Sequence, residues 1–169
     1  MSSLSLPDLL WVATIAYGLH ALEEFTLDWR DWARSVIGLP VEWSHFYVVN
    51  FLVIVLGVCC ASVGVTQPQL ALAMPALMLI NATFFHVLPM LMTRGRFSPG
   101  IFTALVLFYP IGIASYSRAL ADDSVTLNGV LLSIVLGMLL MASPILMLRI
   151  KDKSYFRQAE PQPAEETED

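Results

Sequence analysis

The stretch Phe46-Tyr47-Val48-Val49-Asn50-Phe51-Leu52-Val53-Ile54-Val55-Leu56-Gly57-Val58-Cys59-Cys60-Ala61-Ser62-Val63-Gly64-Val65 holds 20 residues without a charge. A helix needs about 20 predominantly apolar residues to cross roughly 30 Å of hydrocarbon. The run is far too long for a strand and apolar on every face, so it reads as a transmembrane helix. Working outward, four further stretches share this character: 6–25, 70–92, 101–120 and 125–148. Turn-forming residues separate them: Thr66-Gln67-Pro68-Gln69, Arg94-Gly95-Arg96-Phe97-Ser98-Pro99-Gly100 and Ala121-Asp122-Asp123-Ser124. The expected architecture is an all-α integral membrane bundle of five spans over 1–150.

Composition agrees. Of 169 residues, 57% are hydrophobic and 14% charged, with mean hydropathy +0.69, whereas soluble domains carry about 25% charge. The net charge of −5 comes from the end of the chain. Five of the 14 acids (Glu160, Glu165, Glu166, Glu168, Asp169) lie in the last ten residues, leaving nine acids against nine bases elsewhere. That balance lacks the basic footprint of a nucleic-acid binder. Residues 151–169, rich in Glu, Pro and Gln, read as a disordered acidic tail on the cytoplasmic side. Adjacent Cys59 and Cys60 suit neither a mutual disulfide nor, without other soft ligands nearby, a metal site. They read as small apolar residues.

Basic residues set the expected orientation. With five spans and the N-terminus outside, the cytoplasmic face collects Arg30, Arg34, Arg94, Arg96, Arg149, Lys151, Lys153 and Arg157, and the outer face only Arg118. The beginning of the chain lacks a basic segment, and Glu23-Glu24 stand where small residues would mark cleavage, so 6–25 reads as a retained span. Phe25, Trp29, Trp32 and Val36 recur at helical spacing with Asp28, Arg30, Asp31 and Arg34 between them. This predicts a short amphipathic helix over about 26–37 in the inner-leaflet interface. A cell inner or plasma membrane is the default location, and oligomer formation stays open.

Ionisable side chains within spans are expensive, roughly 2.5–3.5 kcal/mol each on insertion scales, and so draw attention as functional residues. His20, Glu23 and Glu24 lie three and four residues apart and share a helix face. Asn81 and His86 lie in the third span, and Thr103 begins the fourth. At about 1.5 Å per residue, His20 sits about 15 Å before Arg30, His86 about 12 Å before Arg94 and Thr103 about 10 Å after Arg96. All three depths place polar groups in the inner half of the membrane, which suggests one polar chamber open to the cytoplasm. His45, beside Trp43 and Tyr47, reads as an interfacial anchor. Asn81 also suits a helix–helix hydrogen bond. Asn50, Ser98, Pro99 and Gly100 stay open as site members, Pro99-Gly100 also fitting a helix start.

These residues resemble the HXXEE-motif family of integral membrane proteins. His20-Ala21-Leu22-Glu23-Glu24 matches its namesake motif. Asn81-Ala82-Thr83-Phe84-Phe85-His86 and Phe97-Ser98-Pro99-Gly100-Ile101-Phe102-Thr103 are similar to its Asn-Ala…His and Tyr-x-Pro-Gly-x-x-Thr motifs, in the same order, over about 8–148. Phe97 replaces the family's Tyr, and one extra residue separates Ala82 from His86. On a regular helix Asn81 and His86 would point about 140° apart; a π-bulge would return them to one face. The resemblance implies an active site at the His-x-x-Glu-Glu motif but no particular reaction.

Three chemistries fit. His20, Glu24 and His86 form a His₂–carboxylate set suited to a divalent metal such as zinc or iron. Glu23 would act as general base and Thr103 or Asn81 would orient a lipid-like or isoprenoid-like substrate, in a hydrolysis or an oxidation. Without metal, the same cluster suits acid–base isomerisation of a membrane-dissolved substrate. A proton-coupled transporter or a ligand-binding membrane protein is the third reading, and a purely structural role is the non-catalytic one.

Overall fold

Ser5 opens the first helix through a capping box. Its hydroxyl accepts from the Asp8 backbone N–H while the Asp8 carboxylate accepts from the Ser5 N–H, and proline occupies the first turn, where its missing N–H is harmless. The structure is a computed structural model that describes residues 4–151. Its helices are α1 (Leu6–Thr26), α2 (Trp29–Val36), α3 (Trp43–Val63), α4 (Pro68–Met92), α5 (Ile101–Ala121) and α6 (Leu127–Lys151). Among the described residues there is no strand. The expected tail falls outside them apart from Lys151, the last residue of α6.

The five long helices lie within three residues of the expected stretches. Four of them, α3 to α6, are long and apolar enough to cross a membrane. α1 also has 21 residues, about 31 Å at helical rise, but carries Asp8, Glu23 and Glu24. Between its ends its outward side chains are nonetheless apolar, Ile15 being 65% and Leu22 59% exposed. Across the molecule Phe51, Val106 and Leu139 are likewise exposed. In water such a surface would drive aggregation; in lipid it is the expected exterior.

α1, α4 and α5 form the centre of the bundle, with α3 against α1 and α6 against α4. The core comprises Leu10, Ala13, Tyr17, Leu72, Met74, Leu77, Met78 and Phe108. Small residues set the close approaches, as membrane helices require when lipid offers no hydrophobic drive for association. A Cβ at Gly137 of α6 would stand 2.6 Å from Ala76 Cβ and 2.9 Å from the Leu77 backbone nitrogen of α4. Gly137→Ala must therefore push α6 off α4. We expect a destabilisation of about 1–3 kcal/mol, as for overpacked cores, read as a lowered midpoint in detergent-based unfolding. A wild-type midpoint would contradict the α4–α6 packing.

Two prolines distort the helices that carry the site. Proline lacks an N–H and its ring clashes with the carbonyl four residues earlier. Before Pro89, α4 widens into a π-helical turn (Ala82–Val87), with the Leu88 N–H bonded to the Thr83 carbonyl five residues back. Before Pro110, α5 widens similarly (Ala104–Phe108), with the Tyr109 N–H on the Ala104 carbonyl. Thr83 Oγ1 and Tyr109 Oη, 2.9 Å apart, tie the two distorted regions together.

α2 has the amphipathic division expected of it, over a shorter span. Trp29, Trp32 and Ala33 are buried against Val41, Phe46, Leu148 and Phe85, while Asp31 and Arg34 are exposed. Arg30 bonds Asp31 at 2.8 Å and lies 5.5 Å from the centre of the Trp43 ring. The Arg30 guanidinium holds the Asp31 carboxyl below its ordinary range.

Candidate functional site

The last two turns of α1 carry His20, Glu23 and Glu24 into the junction where the widened part of α4 meets the start of α5. Glu24 Oε1 lies 3.5 Å from His20 Nε2 and 3.4 Å from His86 Nε2. One ligand atom from each of these three residues lies within 4.8 Å of the others. The imidazoles meet edge to face, with ring centres 4.8 Å apart. Both histidines are fully buried and Glu24 is 4% exposed. The polar chamber expected to open toward the cytoplasm is therefore not what the packing produces. The cluster is closed, because Phe108, Gly100 and the two imidazoles fill the space between the helices.

The widened turn of α4 decides the place of Asn81. A π-turn takes more residues per turn than an α-turn, so positions five apart share a face. Asn81 Oδ1 accordingly lies 3.1 Å from His86 Nε2. The extra residue between Ala82 and His86 is absorbed here, as the π-bulge expectation required. The other nitrogen of His86, Nδ1, faces Ser98 Oγ at 3.1 Å. Ser98 also reaches the Phe85 carbonyl at 3.5 Å, which Pro89 leaves without its helical partner.

Glu23 receives the start of α5 and meets His20 only through Thr103. Its Oε1 accepts from the Gly100 and Phe102 N–H groups at 3.0 and 3.2 Å; its Oε2 accepts from the Thr103 N–H at 2.8 Å and the Thr103 hydroxyl at 2.5 Å. A helix N-terminus presents unpaired N–H groups and a positive dipole end, and a carboxylate satisfies both. Here that carboxylate comes from another helix. Thr103 Oγ1 in turn lies 2.8 Å from His20 Nδ1.

Gly100 forms the floor under both imidazoles. Its φ of +96° belongs to the left-handed region, and a Cβ there would stand 2.5 Å from His86 Cε1 and 2.8 Å from His20 Cε1. Phe108 covers the other side of His20, with ring centres 4.3 Å apart, and stacks on Tyr17.

All six residues singled out from the sequence, His20, Glu23, Glu24, Asn81, His86 and Thr103, thus converge, and Ser98 and Gly100 join them. His45 and Asn50 do not. His45 Nδ1 accepts from the Glu42 N–H at the start of α3, and Asn50 Nδ2 donates to the Phe46 carbonyl within α3. Sequence reasoning missed Tyr17 and Phe108. Tyr17 had a signal, being three residues before His20 on the same helix face; Phe108 had none without knowledge of how α5 packs.

The arrangement offers two buried imidazoles and a carboxylate between them, His20 oriented by Thr103 of α5 and His86 by Asn81 of its own helix and Ser98 of the α4–α5 connection. That is a donor set for a borderline divalent cation. Two of its edges, 3.4 and 3.5 Å, match the edge of a tetrahedron of ligands at zinc distances, about 3.3–3.5 Å for bonds of about 2.0–2.1 Å. The full set spans up to 4.8 Å, so the imidazoles must draw inward around an ion.

No curated protein and no solved structure matches the chain. A family described as "Protein of unknown function with HXXEE motif" matches residues 11–115, a range that takes in α1 from its first turns, all three motifs and most of α5. The chain, with His20, Glu23 and Glu24 as the letters of that motif, belongs to the HXXEE family.

Proposed function

We propose that the protein is a membrane-embedded metal-dependent enzyme in which His20, Glu24 and His86 hold a divalent ion, zinc or iron, and act on a lipid-like substrate. One observation carries this reading. His20 Nε2 is buried with no hydrogen-bond partner among the described residues, yet it stands 3.5 Å from a buried carboxylate oxygen. A buried nitrogen without a partner is costly, and a cation between it and Glu24 satisfies both groups.

When bound, zinc would supply Lewis acidity for hydrolysis and iron would supply redox chemistry for oxidation. The chain's own residues do the rest. Asn81 stands beside His86 Nε2 where it can orient a substrate oxygen. Glu23, committed to four hydrogen bonds at the start of α5, serves better as a positioning residue than as a general base. An apolar groove between α4 and α6, lined by Ile80, Phe84, Phe85, Met138, Met141, Ala142 and Ile145, reaches the residue before His86 and suits a hydrocarbon chain.

In this reading α1 is a fifth span with its N-terminus outside, by the eight-to-one bias of basic residues. The His–Glu cluster then lies in the inner-leaflet half, and α2 lies in the interface, its tryptophans inward and Asp31 and Arg34 toward water.

The test is elemental analysis of the protein purified in detergent without chelators or a histidine tag, beside a His20→Ala/Glu24→Ala variant. We expect near-stoichiometric zinc or iron in the wild type and its loss in the variant, which stays folded. No metal in either sample after attempted reloading would overturn the metal reading in favour of acid–base chemistry. The complete burial of both imidazoles favours one second reading, an ion or ion pair that only holds the helices together. A variant that fails to insert or assemble would establish that role instead.

A further inference from the structure

We infer that Thr103 and Glu23 select which nitrogen of His20 is available as a ligand; the inference rests on the metal reading for its purpose but not for its chemistry. A threonine hydroxyl has one proton. Thr103 Oγ1 has two oxygen acceptors, Glu23 Oε2 at 2.5 Å and the Gly100 carbonyl at 3.2 Å, and the carboxylate is the closer and the stronger. With its proton given to either oxygen, Thr103 can only accept from His20 Nδ1, 2.8 Å away. His20 Nδ1 must therefore carry a proton, and in the neutral ring Nε2 carries a lone pair.

That lone pair is the atom turned toward Glu24 Oε1 and left without a hydrogen-bond partner. Metal-ligating histidines commonly give their second ring N–H to a carboxylate or carbonyl, which fixes tautomer and ring orientation. Here one hydroxyl is interposed, giving the chain Glu23–Thr103–His20. The two glutamates of the motif then have separate tasks. Glu24 faces the cation, and Glu23 holds the orienting hydroxyl from the opposite side of the ring.

His86 differs. Its Nδ1 faces Ser98 Oγ, whose other acceptor, the Phe85 carbonyl, is 3.5 Å away, and its Nε2 faces the Asn81 amide. Asn81 Oδ1 can only accept, so in the metal-free protein His86 Nε2 carries the proton and Nδ1 accepts from the Ser98 hydroxyl. This opposite tautomer, set without Thr103, serves as an internal reference.

The experiment uses the full chain in detergent micelles with ¹⁵N-labelled histidine, its three histidine signals assigned with His45→Gln and His86→Gln variants. Long-range nitrogen–proton correlation of metal-free protein should show His20 as the Nδ1–H tautomer. With ¹¹³Cd²⁺ as the probe, the cadmium–nitrogen coupling should appear on His20 Nε2. Thr103→Val keeps the backbone N–H that binds Glu23 but removes the hydroxyl. It should let the Nε2–H tautomer of His20 appear, leave His86 unchanged and weaken cadmium binding roughly 10–100-fold, with Thr103→Ser restoring both.

A wild-type His20 found as the Nε2–H tautomer, or coupled to cadmium through Nδ1, overturns the inference. So does Thr103→Val with unchanged tautomer and affinity. Wild-type protein that shows Nδ1–H at His20 but binds no cadmium sustains the inference and sinks the metal reading, so the two fail separately.

Discussion

Gly100→Ala should destabilise the protein by about 2–5 kcal/mol and disrupt the His–Glu cluster. Two independent penalties add. The left-handed backbone at φ +96° disfavours any Cβ, by about 1–2 kcal/mol. The new methyl would also stand 2.5 Å from His86 Cε1 and 2.8 Å from His20 Cε1, which no real packing shows, and overpacking of this kind adds about 1–3 kcal/mol. Neither ring can retreat easily. His20 is held at Nδ1 by Thr103 and lies against Phe108, while His86 is held by Ser98 and Asn81. The checks are the unfolding midpoint in detergent and the metal content after purification. Wild-type values for both would mean that the imidazoles do not converge over Gly100. Because the glycine touches both rings, the metal content should fall even where growth at low temperature rescues folding.

Glu23→Ala should be as severe, for a different reason. The substitution removes one acceptor group that serves three backbone N–H groups and one hydroxyl. Loss of an ordinary helix cap costs about 0.5–2 kcal/mol, and each buried donor left unmade about 1–3 kcal/mol. Two of the three N–H donors are partly buried, and lipid offers none of the replacement bonds that water would. A total near 3–5 kcal/mol is expected, as a lowered unfolding midpoint. Glu23→Gln keeps one carbonyl oxygen but loses the charge and the second acceptor, and should fall between the two. If Glu23→Ala instead keeps the wild-type midpoint while altering only activity, Glu23 is not the cap of α5 and the general-base role regains its standing.

These two positions also show how differently the parts of the site were legible. His20 and Glu24 were readable as a pair because four residues on a helix bring side chains to one face, whatever the fold. His86 stood out because an imidazole within an apolar stretch needs a reason. The role of Glu23 was not readable. Glu23 and Glu24 are chemically identical neighbours, and only the positions of α4 and α5 determine that one meets a helix N-terminus and the other two imidazoles. The π-turn of α4 lay in between. The odd five-residue spacing from Asn81 to His86 called for one, and Pro89 supplies its local cause. The matching turn before Pro110 shows that this proline effect acts twice around the same site.

Length and apolarity, which act locally and without reference to neighbours, determined the helices. α3, α4, α5 and α6 follow from the requirement that every backbone group be satisfied within its own segment when lipid is the solvent. Caps and turns at Ser5, Pro68 and Gly100 follow from backbone chemistry of the same short range. The tertiary structure alone decided whether the polar residues would line an open chamber or pack shut. That depends on the volume left between α1, α4 and α5, which Phe108 and Tyr17 fill, and how α5 brings Phe108 there has no mark in the sequence. Packing between distant segments is a sum of many small contacts that no local pattern encodes, which is why the residues of the site could be named in advance and its closure could not.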